Sequence, residues 1–65
     1  MRLKEVRPVL AGIVVLYEEA EKENEYDDVF IGICSDIPEV MLEREIIVIG
    51  ASPRGEMLDI ELKKK

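Results

Sequence analysis

The spacing of hydrophobic positions changes along this chain, and each change marks an element. Leu3, Val6 and Leu10 recur at helical spacing, so residues 2–10 predict a short helix. Pro8 is tolerated in a first turn but disfavours the α conformation at Arg7. Gly12 breaks the pattern. Ile13-Val14-Val15-Leu16-Tyr17 is β-branched, aliphatic and aromatic and predicts a strand, and Asp28-Val29-Phe30-Ile31-Gly32-Ile33-Cys34 predicts another. The polar stretch between them fits a hairpin loop turning near Glu23-Asn24. A helix starting over Glu18–Glu23 is the alternative, because Glu, Ala and Lys are good helix formers. Closely spaced like charges disfavour it.

The next segment carries a helix-start signal. Asp36 is placed to cap, Glu39 sits three residues on, and Pro38 suits a first turn. Ile37, Val40 and Met41 then share a face of a helix of one or two turns. Ile46-Ile47-Val48-Ile49 restores strand character. Ser52-Pro53-Arg54-Gly55 predicts a turn. Beyond it Leu58, Ile60 and Leu62 alternate with Asp59, Glu61 and Lys63, the pattern of a strand with one wet face.

These elements predict a small α+β domain spanning residues 1–65. Its order is α-β-β-α-β-β, with one or two short helices and a single-layer, antiparallel or mixed, four-stranded sheet. The first and third strands are apolar on both faces, and so short a chain has too little helix to cover both sides. The expectation is therefore a homodimer, with a second copy covering the rest.

The residues Asp36-Ile37-Pro38-Glu39, Leu42, Arg44-Glu45, the strand to Ile49, Ala51-Ser52 and Leu58-Asp59-Ile60-Glu61 form a recognisable pattern. The chain resembles a family of small uncharacterised proteins from prophages and mobile elements of clostridia-like Gram-positive bacteria. The resemblance covers residues 3–62 as a pattern and is specific only over 36–52. It implies this element order and a mobile-element setting, and it carries no activity onto any residue. Pro8 and a longer, more charged acidic loop depart from the pattern.

Composition narrows the classes. With 48% hydrophobic and 37% charged residues, the chain has a globular composition. The apolar run Val9–Tyr17 is far shorter than the roughly 20 residues of a membrane span. Arg2, Lys4 and Arg7 precede that run as in a signal peptide, but Glu18-Glu19-Ala20-Glu21 replaces a cleavage site. The expectation is a cytoplasmic protein. Chains of this size bury only about 60% of their unfolded surface. A single cysteine excludes an intrachain disulfide, and with no histidine a structural zinc site is not expected.

The net charge of −6 sits in one place. Glu18, Glu19, Glu21, Glu23, Glu25, Asp27 and Asp28 face only Lys22, and the rest of the chain is neutral. These seven acids are the candidate interaction residues. A solvated loop explains them most simply. An acidic mimic or antagonist that binds a basic host or phage protein is the functional alternative. Glu21, Glu23 and Glu25 alternate as calcium ligands can, but no glycine supplies the bend, so no metal is expected.

The remaining chemistry is sparse. Gly50 and Gly55 have the spacing of a phosphate loop, but Glu56 and Met57 stand where a lysine and a hydroxyl are needed. Cys34 has no histidine to activate it and reads as an inert, partly buried thiol. Lys63-Lys64-Lys65 gives little phosphate affinity at physiological salt. Tyr17, Tyr26 and Phe30, the only aromatics, supply no RNA-reading pair. The reading is a non-enzymatic accessory or interaction module, homodimeric, with no catalytic residue, cofactor, membrane or nucleic-acid partner.

Overall fold

Ile13–Glu19 (β1) and Tyr26–Ile33 (β2) pair antiparallel, as their β-branched and aromatic content favours. The computed structural model describes residues 1–51 and 57–64. The loop of this first hairpin turns with Asn24 in the left-handed region at φ 65° and closes through the Ala20 N–H, which donates to the Glu25 carbonyl at 2.8 Å. Asparagine tolerates that conformation better than most residues. The acidic segment is thus less of a loop than its charge suggests. Glu18 and Glu19 end β1, and Tyr26, Asp27 and Asp28 begin β2. The hairpin register shifts between Leu16 and Tyr17, leaving Val29 as the extra residue of a bulge.

The second hairpin joins Ile46–Ala51 (β3) to Met57–Leu62 (β4), antiparallel. The turn expected over Ser52–Gly55 lies outside the described residues. β4 docks parallel against β1, so the sheet is mixed, with order β2-β1-β4-β3. Hydrophobic side chains on one face of this pairing form the core: Val14 and Leu16 from β1 and Ile60 and Leu62 from β4 are fully buried. Phe30 lies on the same face, and its ring sits over Gly32. A Cβ at Gly32 would stand 3.1 Å from the ring, so the glycine makes room for the aromatic.

That face is covered by the two non-strand segments. Leu3–Val6 (α1) is a single α-turn that continues as a 3-10 turn over Arg7–Val9. The change of winding falls where Pro8 was expected to disturb the helix. Glu5 accepts a hydrogen bond from the Arg2 N–H at 2.9 Å and fixes the helix start. Leu3 is fully buried in the core, with Val6 and Leu10 packed against it. Gly12, at φ 80°, then turns the chain into β1.

Between β2 and β3 the expected helix is replaced by two 3-10 turns, Cys34–Asp36 and Glu39–Met41. Ile37 and Pro38 between them are extended, at ψ 124° and 140°. The proline excludes the α conformation at Ile37 and splits the segment. Asp36 therefore lies inside the first turn instead of capping a helix, and no side-chain cap forms at the second. The shared face of Ile37, Val40 and Met41 is not realised either. Ile37 is buried, whereas Val40 is 81% exposed.

Arg44 ties these pieces together. Its guanidinium donates to the Lys63 carbonyl at 2.9 Å and to Glu18 Oε1 at 3.4 Å, with both side chains mostly buried. It thus joins the end of β1, the end of β4 and the crossing segment. The bond to the carbonyl is the shorter one. Arg44→Met is therefore expected to destabilise the fold by about 1.5–3 kcal/mol, the scale of a lost charged hydrogen bond. Glu18→Gln is expected to cost less, since Arg44 keeps its carbonyl partner. Urea unfolding of the two variants checks the order, and equal losses would place the weight on the ion pair.

Candidate functional site

Among the described residues, no layer covers the second face of the sheet. Residues opposed across a ladder share a face, so the registers assign it. β1 contributes Ile13, Val15, Tyr17 and Glu19, and β2 places Ile33, Ile31, Asp28 and Tyr26 opposite them. β4 adds Met57, Asp59 and Glu61 alongside Ile13, Val15 and Tyr17. The face is divided along the strands. Ile13, Val15, Ile31 and Ile33 cluster at one end, and Ile13, Ile31 and Ile33 are 43%, 54% and 53% exposed. Tyr17, Tyr26, Glu19, Asp28 and Glu61 gather at the other end, with Val48 of β3 opposite Glu61, while Asp59 lies beside Val15. The described strand positions on this face hold no lysine or arginine.

Tyr17 and Tyr26 meet edge to face, with ring centroids 5.5 Å apart and planes at 84°. Burial pushes the Tyr17 hydroxyl above its ordinary pKa of 10.0, and the neighbouring carboxylates of Glu61 and Asp59 push it further. The acidic field on this face thus comes partly from β4. Sequence reasoning assigned Asp59 and Glu61 to the wet side of a strand. It had no signal that parallel pairing would set them beside Tyr17.

The seven acids flagged from the sequence do not form one patch. Glu18 is held by Arg44. Glu19 and Asp28 face the open side, while Asp27 pairs with Glu18 on the other side. Glu21, Glu23 and Glu25 lie exposed in the hairpin loop. Among the described residues, no group of three acids or cysteine comes together in a way that could hold a metal ion.

A cleft of about 450 Å³ opens between the N-terminal turns and the first 3-10 turn of the crossing segment. Lys4, Arg7, Pro8, Leu10, Cys34 and Leu42 line it. Its polar groups are already engaged. Arg7 donates to the Ser35 carbonyl at 3.2 Å, and the Cys34 thiol donates to the Leu10 carbonyl at 3.3 Å. Lys4 and Arg2 both bond Glu43 at 3.0 Å. The hydrogen bond from Lys4 holds the Glu43 carboxyl below its ordinary pKa of 4.5, and Arg2 adds to the effect. Cys34 is buried, as a cysteine at the end of an apolar strand suggests.

Of the other sequence candidates, Gly50 and Ala51 belong to β3, and the rest of the phosphate-loop spacing lies outside the described residues. Lys63 stands 3.8 Å from Glu45, while Lys65 lies outside the described residues. No described helix is long and apolar enough to cross a membrane. In comparisons with known proteins, no family model, no curated protein and no solved structure matches the chain.

The Tyr17 environment makes a pH prediction. A raised tyrosine pKa leaves stability intact below 10.0, the unfolded value, and removes it as pH rises through the higher folded value. The loss of stability above pH 10 is expected to shrink in Tyr17→Phe. Glu61→Gln should lower the Tyr17 midpoint without restoring 10.0, because burial is the larger cause. Urea unfolding below and above pH 10 reads the first, and ultraviolet titration of tyrosinate in the folded protein reads the second. A Tyr17 midpoint at or below 10.0 in the native protein would contradict the assignment.

Proposed function

We propose that this chain is a non-enzymatic interaction module that works as a homodimer in the cytoplasm and presents the open face of its sheet to a partner. The observation that carries the reading is the one-sided sheet. Ile13, Ile31 and Ile33 stand together on a face that no described residue outside the strands covers, and clustered apolar exposure of this kind marks contact surfaces. The residue types support a role without catalysis. The chain has no histidine, and its one thiol is buried and donates to a carbonyl. Association with phages or other mobile elements rests on the residue pattern over 36–52, and flanking genes for phage structure, lysis or replication would support it.

A second reading is supported by the acidic end of the same face. Glu19 and Asp28 project there from paired strands, with Glu61 beside Tyr17 and no cation among the described strand positions. This is the surface of an acidic mimic that engages a basic protein, with Glu21, Glu23 and Glu25 at its margin.

Sedimentation velocity at tens of micromolar is expected to give twice the 7.4 kDa chain mass. A monomer at that concentration overturns the homodimer. Nuclear magnetic resonance titration with a lysine-rich peptide at physiological salt tests the second reading. It expects shifts centred on residues 19–28, abolished in a combined Glu19→Gln, Glu21→Gln, Asp28→Asn variant. Unmoved resonances there rule that reading out.

A further inference from the structure

Resting on the homodimer reading above, we propose that the second copy pairs antiparallel with the outer edge of β3, joining two sheets into one of eight strands.

The sheet has two edges, and their chemistry differs. β2 ends one side with Asp27 and Asp28 near its start and a bulge at Val29. Charges and bulges are the devices that keep an edge strand from pairing. β3 ends the other side with Ile46-Ile47-Val48-Ile49-Gly50-Ala51; it has a bulge of its own at Ile47, so the edges differ in charge, and β3 holds no charge and no proline. Ile47, Val48 and Ile49 are 54%, 48% and 42% exposed. Apolar surface is therefore open on both faces of this edge, next to backbone groups that lack a neighbouring strand.

The available length is defined. The N-terminal residues already occupy the start of this edge. The Ile46 N–H donates to the Met1 carbonyl at 2.7 Å, the Leu3 N–H donates to the Arg44 carbonyl at 2.9 Å, and Arg2 bridges Glu45. From Ile47 to Ala51 no strand lies alongside among the described residues. Antiparallel pairing of this stretch about a two-fold axis is self-complementary, the geometry of a closed dimer.

Face-to-face stacking is the competing arrangement, and charge disfavours it. Asp59 and Glu61 lie within the open face, and Asp28 and Glu19 lie towards one end. Stacking two copies would bring carboxylates towards an interface whose described strand positions offer no cation. Desolvating unpaired charge is costly. Edge pairing buries no carboxylate of the open face. With the two-fold axis perpendicular to the sheet, it also sets both open faces on the same side, where one partner can meet both. A contact this short falls below the roughly 1,000 Å² of a tight interface, so the dimer is expected to dissociate in the micromolar range.

Sedimentation of wild type, Val48→Lys and Ile31→Lys tests the edge. Val48 lies opposite Glu61, which gives the new lysine an acceptor within the chain. Ile31 lies on β2, remote from β3 in the sheet order. Val48→Lys is expected to weaken dimerisation by about tenfold or more, and Ile31→Lys to leave it unchanged. A dimeric Val48→Lys or a monomeric Ile31→Lys overturns edge pairing and leaves the homodimer standing. A monomeric wild type overturns both. Circular dichroism establishes that each variant is folded. Hydrogen exchange gives an independent reading on the wild type, where amides of residues 47–51 are expected to gain protection as concentration rises. Absence of that gain in a dimeric sample also overturns the edge.

Discussion

The parallel pairing of β1 with β4 is the contact on which the other parts depend. Each strand belongs to its own hairpin, so the pairing is what makes two local structures into one sheet. It also fixes the route of the chain. β2 ends at one edge and β3 begins at the other, so residues 34–45 must cross the whole sheet. Parallel neighbours always require such a long connection. Here the connection doubles as the cover of the core, with Ile37 and Cys34 buried against Leu16 and Ile60. The N-terminal turn is locked to that cover by the Leu3 N–H to Arg44 and the Lys4 N–H to Leu42, at 2.9 and 2.8 Å. Burying one large aliphatic side chain gains about 1.5–3 kcal/mol, so a few such residues at this junction set the stability scale of the domain.

Among the described residues, the chain outside the strands covers one face only. The molecule is only 17 Å thick along its shortest axis. The uncovered face is accordingly the main surface on which the sequence has freedom to specify contacts. Its division into an isoleucine end and an acidic, tyrosine-bearing end is the feature any functional account has to use. The cleft beside the N-terminal turns is a weaker candidate because its cations and thiol already have partners within the chain.

Much of this was legible in the residues. Both hairpins, the turn at Asn24 and the half-buried character of β4 follow from β-branching, polar punctuation and period-two alternation. The long-range arrangement was not. Nothing in the alternation of Leu58, Ile60 and Leu62 says that β4 inserts beside β1, and with that placement unknown the Tyr17–Glu61 proximity could not be foreseen. The capping signal at Asp36 misled for a local reason. Pro38 was weighed as a good first-turn residue, while its steric demand on Ile37 decided the geometry. The acidic segment was read as one hairpin loop, with its seven acids taken together. Strand pairing divided it, giving Glu18 to Arg44 and leaving only Glu19 and Asp28 on the open side.

The two carboxylates on β2 bear on how far assembly can proceed. If β3 edges join, each outer rim of the resulting sheet is a β2 strand, where Asp27 and Asp28 resist a further neighbour. On that arrangement, an edge that accepts one strand and an edge that accepts none would together give a particle of fixed size. The acids of the first hairpin would then act as terminators of growth, separating a soluble dimer from a fibril.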